Sequence, residues 1–352
     1  MDDIMSGRAP ASGEQAGLGC ARASLLRGLL YVASVPYGLA AGLRRRCYRA
    51  GLLPSKPAGL PVISVGNVTA GGTGKTPMAA WAAGRLKQAG ASCAILTRGY
   101  KSVAGISDEA ELLARTTGCP VIVNADRLAG AHRAARQGAQ VLVMDDGFQH
   151  LRLRRDLDVV LIDATRPFGY GYCLPRGLLR EPLTALADAD AVVITHCDEA
   201  PAGDLEGIRR RLSKLSPRAS VHLAAHRPVC VIGPDGRRQP AGTLAGRRVA
   251  AFCGIGNPRP FFDTLRRLGA ELAVCKAFDD HVAYGAAELE QLRLVAARGN
   301  AELAITTQKD HVKLQGADLG RELWQLAVEI EIVEGGEELA ARMIGVWRGG
   351  GR

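Results

Sequence analysis

Short runs of apolar residues alternate with longer stretches of helical periodicity from residue 61 onward. Several of these runs are continuously apolar, which is typical of parallel strands that helices cover on both faces. Helices are expected from Thr76 and from about Ser107, which can cap its helix. The strands predicted in this region are residues 61–65, 91–97, 120–123, 141–146, 157–163 and 191–195.

A second α/β pattern follows a segment rich in Pro, Gly and Arg. The Gly-Pro-Asp-Gly run at 233–236 is a strong turn signal, so we predict a linker, with a possible hairpin, at 229–247. The chain of 352 residues is then expected to form an α/β domain at 57–228 and a smaller one at 248–352. The second domain is predicted to contain strands at 248–255, 271–278, 302–307 and 323–333, and helices at 258–269, 286–299 and 337–347.

The N-terminal region differs from both domains. Residues 1–20 are small and polar, and a disordered tail is expected there. The uncharged run 28–43 has arginines on both sides, contains Pro36, and is short for a membrane span, which needs about 20 residues. A signal peptide is disfavoured because residues 2 and 3 are acidic. Residues 21–56 therefore predict a helix lying on an anionic membrane surface, or alternatively a helix packed on the first domain.

The charge of the chain is concentrated in its first third. The formal net charge is +10, but twelve basic and no acidic residues lie between Glu14 and Asp108. The rest of the chain therefore has a net charge of about −2. Such a region attracts nucleotide phosphates, anionic lipid or nucleic acid. A content of 47% hydrophobic residues excludes a wholly disordered chain. The nine cysteines form no Cys-x-x-Cys pair, so neither a disulfide framework nor a zinc ribbon is indicated.

The most specific motif follows the first predicted strand. Residues 65–77 read VGNVTAGGTGKTP, with Gly-Lys-Thr at the start of the predicted helix, although the first glycine of a P-loop is replaced by Thr69. Glycines let backbone N–H groups face phosphate oxygens, the lysine adds charge at the β and γ phosphates, and the threonine hydroxyl can ligate Mg²⁺. The predicted nucleotide-binding residues are Thr69, Ala70, Gly71, Gly72, Thr73, Gly74, Lys75 and Thr76.

A second motif is an apolar strand that ends in two aspartates, at 141–146. This is the Walker B arrangement, which places a carboxylate near the Mg²⁺ held by the loop threonine. The two motifs predict a protein that binds ATP or GTP with Mg²⁺, and do not separate kinase, GTPase and ATPase. The predicted metal-side residues are Thr76, Asp145, Asp146 and Gln149.

Two other classes of function remain as alternatives. A GTPase, or a metallochaperone of that type, would carry an [NT]-K-x-D guanine motif. Residues 195–198 have His in place of Lys and residues 307–310 have the wrong spacing, so ATP is favoured. A nucleic-acid-binding module could use the basic third. With only 5% aromatic residues and no recognised nucleic-acid motif, we expect no nucleic-acid partner.

Further motifs, taken with this loop, carry a family resemblance. DDGFQH at 145–150, LREPL at 179–183, FDDH at 278–281 and TQKD at 307–310 resemble the tetraacyldisaccharide 4′-kinase family of lipid A biosynthesis. The resemblance implies transfer of the ATP γ-phosphate to the 4′-hydroxyl of a lipid A disaccharide 1-phosphate precursor, at the cytoplasmic face of the inner membrane. It also implies two α/β/α domains, the first of which holds the nucleotide.

The resemblance also implies roles for individual residues. Asp108 matches the family's proposed base, although the flanking Gly and Pro of G-D-E-P are Ser and Ala here. His281 matches the histidine that orients or tunes that base. Arg180 and Glu181 match LREP, where an arginine suits the 1-phosphate or the developing γ-phosphoryl charge. Without the resemblance, Asp108 would be a helix N-terminal acid, His281 a loop histidine and Arg180–Glu181 a surface ion pair. Lys75 completes the predicted catalytic set.

Overall fold

The structure, a computed structural model, describes residues 16–99, 108–279, 282–314 and 316–349. The side chains of residues 16–23 and of Asp108 are not part of that description, and His281 lies outside it. Helix α1 begins at Ala16, within the segment for which a tail is predicted. Residues 16–20, Ala-Gly-Leu-Gly-Cys, contain no proline and lead directly into the apolar run, so the helix continues back to Ala16 despite two glycines.

Strands and helices alternate along the chain, which confirms the predicted α/β class. The strands are β1 (Val62–Asn67), β2 (Cys93–Thr97), β3 (Val121–Val123), β4 (Val141–Asp145), β5 (Leu157–Asp163), β6 (Ala191–Thr195), β7 (Ser220–Ile232), β8 (Arg238–Pro240), β9 (Arg248–Cys253), β10 (Glu271–Ala277), β11 (Leu303–Thr307) and β12 (Glu322–Glu334). The helices are α1 (Ala16–Arg49), α2 (Lys75–Gln88), α3 (Asp108–Thr117), α4 (Arg127–Arg136), α5 (Ala202–Leu215), α6 (Arg259–Arg267), α7 (Ala286–Arg298), α8 (Gln308–Lys313) and α9 (Gly336–Arg348).

Among the described residues, contacts group 16–98, 124–225 and 332–349 into one compact unit. Its strands run parallel in the order β7-β6-β5-β1-β4-β2. Strands β1 and β4 are neighbours, and Val65 lies opposite Asp145. Because the carboxyl ends of parallel strands meet at one edge, the loop after β1 and the aspartates after β4 come together there.

The core of this first unit follows from the continuous apolar runs. Every residue of β1, β4 and β6 is buried, since helices cover the sheet. Helix α2 packs closely because its inward positions are small, Ala79, Ala82 and Ala83, with Met78 and Leu86 beside them. Phe148 is fully buried in a second cluster that contains apolar residues of β5 and β6.

The described residues within 99–123 and 226–331 form the second unit. Its parallel strands follow the order β10-β9-β11-β12. Phe261 and Leu265 of α6 pack with Trp324 in its core. Helix α8 begins at a capped turn, because the Thr307 hydroxyl accepts a hydrogen bond from the backbone N–H of Asp310. This unit therefore has a parallel sheet and a hydrophobic core of its own.

The contacts divide the chain differently from the linear boundaries predicted from sequence. Helix α9, near the C-terminus, belongs to the first unit, where Arg342 donates to the Asp190 backbone and Glu337 pairs with Arg85 of α2. Strand β7 covers the start of the predicted linker, and its last residues form an antiparallel hairpin with β8. Helices α4, α5 and α8 were not among the predicted elements.

Helix α1 shows one apolar face to solvent. Its segment Ser24–Arg49 is long and apolar enough to cross a membrane, but only 6% of the most apolar 18-residue stretch in it is buried. A core helix would be mostly buried, so the alternative of a helix packed wholly on the first domain is not supported. The exposed face includes Leu25, Leu29, Val32, Leu39 and Leu43, which are 60–69% exposed.

A close approach at Gly66 in β1 gives a stability prediction. A Cβ built there would lie 2.5 Å from Cβ and 2.7 Å from the backbone nitrogen of Phe148. We expect Gly66→Ala to lower the free energy of unfolding by about 1–3 kcal/mol, because neither atom can move freely in the core.

The matched control is Gly84→Ala, in the interior of α2, where an added Cβ meets nothing within 4 Å. This change should raise the free energy of unfolding by about 0.5–1 kcal/mol. Urea denaturation of both variants provides the measurement. Equal effects of the two substitutions would contradict the packing described for Phe148.

Candidate active site

The loop after β1 has a backbone suited to binding phosphate. Gly71 and Gly74 have φ angles of 122° and 84°, a region that favours glycine. Gly74 directly precedes α2, and its carbonyl accepts the N–H of Met78 at 3.0 Å. The first turn of α2 carries no acidic side chain, so its N-terminal N–H groups and dipole are available to an anion.

Hydrogen bonds hold this loop to the ends of strands β1 and β6 and to the segments that contain Gln149 and Leu178. The Asn67 side-chain amide donates to the Thr73 hydroxyl at 2.8 Å, and the Thr195 hydroxyl donates to the Thr73 carbonyl at 3.1 Å. The side chain of Gln149 donates through its amide nitrogen to the Asn67 carbonyl at 2.8 Å. The backbone N–H of Ala70 donates to Leu178 at 2.7 Å. The loop is thus fixed before any ligand binds.

The two predicted motifs meet beside this loop. The Thr76 hydroxyl lies 3.5 Å from a carboxylate oxygen of Asp145, which is almost completely buried. Lys75 Nζ lies 3.7 Å from Asp146. The register of β1 and β4 therefore brings the lysine, the threonine and both aspartates to one place, as the sequence predicted.

Asp146 is held by two cations. Arg180 donates through one guanidinium nitrogen to both of its carboxylate oxygens, at 2.9 and 3.0 Å. Burial alone would raise the pKa of Asp146, but Lys75 and Arg180 bring it below the ordinary value. The backbone of Asp146 has φ 52°, a left-handed conformation uncommon outside glycine. The carboxylate is therefore ionised at neutral pH and fixed in direction.

Arg127 is a residue of this site that the sequence reasoning missed. It is buried, and its guanidinium donates to the carbonyl of Asp145 at 3.2 Å and to that of Asn124 at 3.3 Å. Burial lowers the pKa of Arg127 to about 10, so it is still charged at neutral pH. Asp126 caps the helix that Arg127 begins, and this Asp-Arg pair after a short strand is the signal that could have drawn attention to it.

Three further residues of the LREPL and DDGFQH motifs have defined surroundings in the structure. Glu181 is buried, and its carboxylate accepts two hydrogen bonds from Arg45 of α1, at 2.6 and 3.0 Å. Gln149 anchors the loop through Asn67, as described above. His150, the last residue of DDGFQH, has a pKa lowered to about 4 by burial and by nearby arginines, so it is neutral at pH 7.

Of the other two predicted catalytic residues, Asp108 belongs to the second unit, and His281 lies outside the described residues. Asp108 is the first residue of α3, which is the position expected for a helix N-terminal acid. Its neighbour Glu109 lies 3.8 Å from Lys309 of α8. In the same unit Asp310 is fully buried and accepts the N–H of Gly254 at 2.9 Å. Asp310 ties the loop after β9 to the TQKD segment that the sequence singled out.

The donor set at the loop fits a magnesium ion bound together with a nucleotide. Within the described ranges there is no cluster of three or more His, Cys, Asp or Glu side chains able to hold a metal. The hydroxyl of Thr76 and the carboxylate of Asp145 are hard oxygen donors, which Mg²⁺ prefers along with phosphate oxygens and water. A closed metal site built by the protein alone is not present among these residues.

A comparison with known proteins gives the family of the chain. A sequence profile of the tetraacyldisaccharide-1-P 4′-kinases matches residues 26–346. The chain belongs to the tetraacyldisaccharide-1-P 4′-kinase family. The resemblance inferred from the motifs is thereby confirmed.

Relatives in this family are similar over most of their length. A tetraacyldisaccharide 4′-kinase of Anaeromyxobacter dehalogenans is 40% identical over 339 residues, covering 89% of each chain. One from Geobacter metallireducens is 43% identical over 312 residues, covering 82% of this chain and 89% of its own. The crystal structure of LpxK from Aquifex aeolicus in complex with ATP is 28% identical, with a TM-score of 0.71 over 92% of this chain and 99% of that one.

A second pair of ionisable side chains lies at the ends of β5 and β6. His196, after β6, lies 3.4 Å from Asp163, after β5. Burial by itself would lower the pKa of His196, but the hydrogen bond and charge of Asp163 raise it above the ordinary value. The pKa of Asp163 is lowered in turn. Residue 196 is where a guanine motif would carry lysine, and here its side chain is directed to Asp163.

The loop anchors give a prediction for Thr73. Thr73→Val removes the hydroxyl that accepts from Asn67 and leaves a buried amide N–H unpaired, so the free energy of unfolding should fall by about 1–3 kcal/mol. ATP affinity should fall with it, because the loop is no longer fixed. Thr73→Ser keeps the hydroxyl and is the control. Calorimetry measures the free energy of unfolding and the ATP affinity. If Thr73→Val bound ATP as tightly as Thr73→Ser, the anchoring role would be refuted.

The His196–Asp163 pair gives a pH prediction. A raised histidine pKa contributes stability that is complete below the unfolded value and is lost as pH rises through the folded value. His196→Asn, which tolerates the left-handed backbone at φ 54°, should therefore destabilise the protein most near about pH 6 and least near about pH 9. Melting temperatures across this range test it. His132→Asn, on the exposed face of α4, is the control, and a destabilisation independent of pH would contradict the assignment.

Proposed function

We propose that this protein is an ATP-dependent kinase that phosphorylates the 4′-hydroxyl of a tetraacyldisaccharide 1-phosphate in lipid A biosynthesis. The observation that carries the proposal is the set Lys75, Thr76, Asp145 and Asp146 at one sheet edge, in a chain of this family. The names of its relatives and the ATP complex of the Aquifex structure support the same activity. The alternative of a GTPase or metallochaperone receives no comparable support.

Phosphoryl transfer requires positioning and charge stabilisation more than covalent chemistry from the protein. We expect the N–H groups of residues 71–76 and the Lys75 ammonium to bind the terminal phosphates, since the helix after the loop begins at Lys75 with no acidic side chain in its first turn. Arg180 is placed to complement charge on the transferred group, since it is already held near Lys75 by Asp146. These groups are fixed before binding, so little reorganisation is needed during the reaction.

The Thr76 hydroxyl and the Asp145 carboxylate are the residues that would hold Mg²⁺ with the nucleotide. When bound, the ion would neutralise charge on the β and γ phosphate oxygens. Asp146 is kept ionised by its two cations and lies beside Lys75, so it fixes the lysine in direction.

Asp108 is proposed as the base that accepts the proton of the 4′-hydroxyl, and His281 as the residue that orients it. Support comes from their match to the family's motifs, G-D-E-P and D-H, and from the placement of Asp108 at the start of α3. A carboxylate at a helix N-terminus is stabilised in its ionised form.

The acceptor carries several acyl chains, so the enzyme has to work at a lipid surface. The exposed apolar face of α1 supports a helix lying on the lipid surface, which we place at the cytoplasmic face of the inner membrane. Residues 21–56 were predicted to lie on anionic lipid through their flanking arginines, and this is wrong for Arg45, whose side chain is buried. The apolar face and not the full set of arginines is therefore the proposed membrane contact.

The proposed function predicts distinct effects of two substitutions. Lys75→Ala should abolish phosphorylation and weaken ATP binding, because the charge at the phosphates is lost. Asp108→Ala should abolish phosphorylation with much less loss of ATP affinity, since the base contacts the acceptor. Each loss should reach at least about 100-fold in kcat, as expected for general-base and electrostatic groups.

The assay uses purified protein, ATP, Mg²⁺ and tetraacyldisaccharide 1-phosphate in detergent micelles. Lys87→Ala, in the last turn of the same helix α2, is the control and should retain activity. Near-normal turnover by Asp108→Ala would reject the base assignment. Transfer to a soluble hydroxyl acceptor, without transfer to the lipid, would reject the proposed substrate.

A further inference from the structure

Helix α1 contacts the segment that follows Asp146 through the side chain of Arg45, which bonds to the Phe148 carbonyl. Arg45 is one of the cations that the sequence assigned to lipid, but only 3% of it is exposed. All three guanidinium nitrogens of Arg45 donate to groups of the first unit. They bond to Glu181 at 2.6 and 3.0 Å, to Asp188 at 2.8 Å and to the carbonyl of Phe148 at 2.8 Å. The guanidinium also stacks on the Phe148 ring, 4.2 Å from its centroid.

Phe148 lies two residues after Asp146, which Lys75 and Arg180 hold beside the phosphate loop. The segment between them has little freedom, because Gly147 donates to the Val65 carbonyl at 3.0 Å and the Gln149 amide binds Asn67. A displacement of the Phe148 carbonyl would therefore move the backbone that sets the left-handed conformation of Asp146.

Two further contacts of α1 hold backbone carbonyls of this segment and of Arg180. Arg44 donates through both terminal nitrogens to the Gln149 carbonyl, at 3.2 and 3.3 Å. The Tyr37 hydroxyl donates to the Arg180 carbonyl at 3.0 Å. Three backbone carbonyls on both sides of the Asp146–Arg180 ion pair are thus held by one helix.

We propose that Arg45 is a positioning residue that fixes the Asp146–Gln149 segment, so that α1 forms part of the phosphate site as well as a lipid-facing surface. The inference rests on the proposed function, because it concerns the same Mg·ATP site. It deepens that function by making the geometry of phosphoryl transfer depend on how α1 is seated.

This arrangement of hydrogen bonds requires an arginine. A lysine in its place keeps the charge but cannot direct donors to two carboxylates and a carbonyl at once. Arg45→Lys should therefore let the Asp146–Gln149 segment shift while leaving the apolar face of α1 unchanged. Arg46, the next residue, is exposed, so Arg46→Lys is a matched control with the same change of side chain.

The experiment measures steady-state kinetics of the full chain with ATP, Mg²⁺ and the lipid acceptor in micelles. For Arg45→Lys we expect kcat to fall by about tenfold or more, since small displacements of catalytic groups have large effects. The KM for the acceptor should stay within about twofold of the parent value, and Arg46→Lys should change neither quantity. A contact that served only the membrane would instead change the acceptor KM and leave kcat at saturation.

A second readout needs no turnover. ATP affinity is measured with and without Mg²⁺. The increase in ATP affinity that Mg²⁺ causes should be smaller in Arg45→Lys than in the parent protein, and unchanged in Arg46→Lys. If the parent protein phosphorylates no lipid acceptor, the proposed function fails, while this binding difference still tests the role of Arg45. If neither this increase nor kcat changed in Arg45→Lys, the inference would be overturned.

Melting temperatures establish whether Arg45→Lys is folded under assay conditions. If Arg45→Lys is unfolded, the test uses Tyr37→Phe instead. Residue 37 is exposed, and this substitution removes only the hydroxyl that donates to the Arg180 carbonyl. Tyr31→Phe, on the same helix and with its ring against Tyr172, is its control. Tyr37→Phe should lower kcat by several-fold relative to Tyr31→Phe, and equal kcat values for the two would reject the inference.

Discussion

The parallel pairing of β1 with β4 is the constraint on which the rest of the site depends. It places Val65 opposite Asp145, so the glycine-rich loop and the two aspartates leave the sheet at the same edge. A shift of one residue would turn Asp145 away from Thr76 and break the contact of Gly66 with Phe148. Because both strands are buried on each face, a shift would also expose apolar side chains, and the register is strongly fixed.

The cations of the N-terminal third have three different destinations. Lys75 lies beside Asp146 next to the phosphate loop, Arg45 is buried with Glu181 and Asp188, and Arg46 is exposed beside the apolar face of α1. One excess of charge in the sequence is therefore divided among three different environments. Net charge reports attraction to anions in general, and only burial and partners separate a lipid contact from an internal ion pair.

The sequence predicted the fold well where hydrophobic runs were continuous and local. Strands β5 and β6 agree with their predicted ends, and the loop and Asp145 meet as expected. Strand β7 was missed because Pro228 and neighbouring polar residues hide its pattern, and the place of α9 depends on contacts with residues far away in sequence. Arg127 and Arg45 were missed as site residues for the same reason: neither lies in a motif, and their roles come from burial.

Protein stability alone does not explain why Arg45 and Glu181 form a buried ion pair. Removing two charges from water is costly, and apolar side chains of similar size often stabilise a protein equally well. A guanidinium has one property that an apolar group lacks, since its planar donors fix direction as well as distance. Here those donors reach two carboxylates and the Phe148 carbonyl at once. The geometry therefore favours a role for Arg45 in registering α1 against the phosphate site over a role in stability alone.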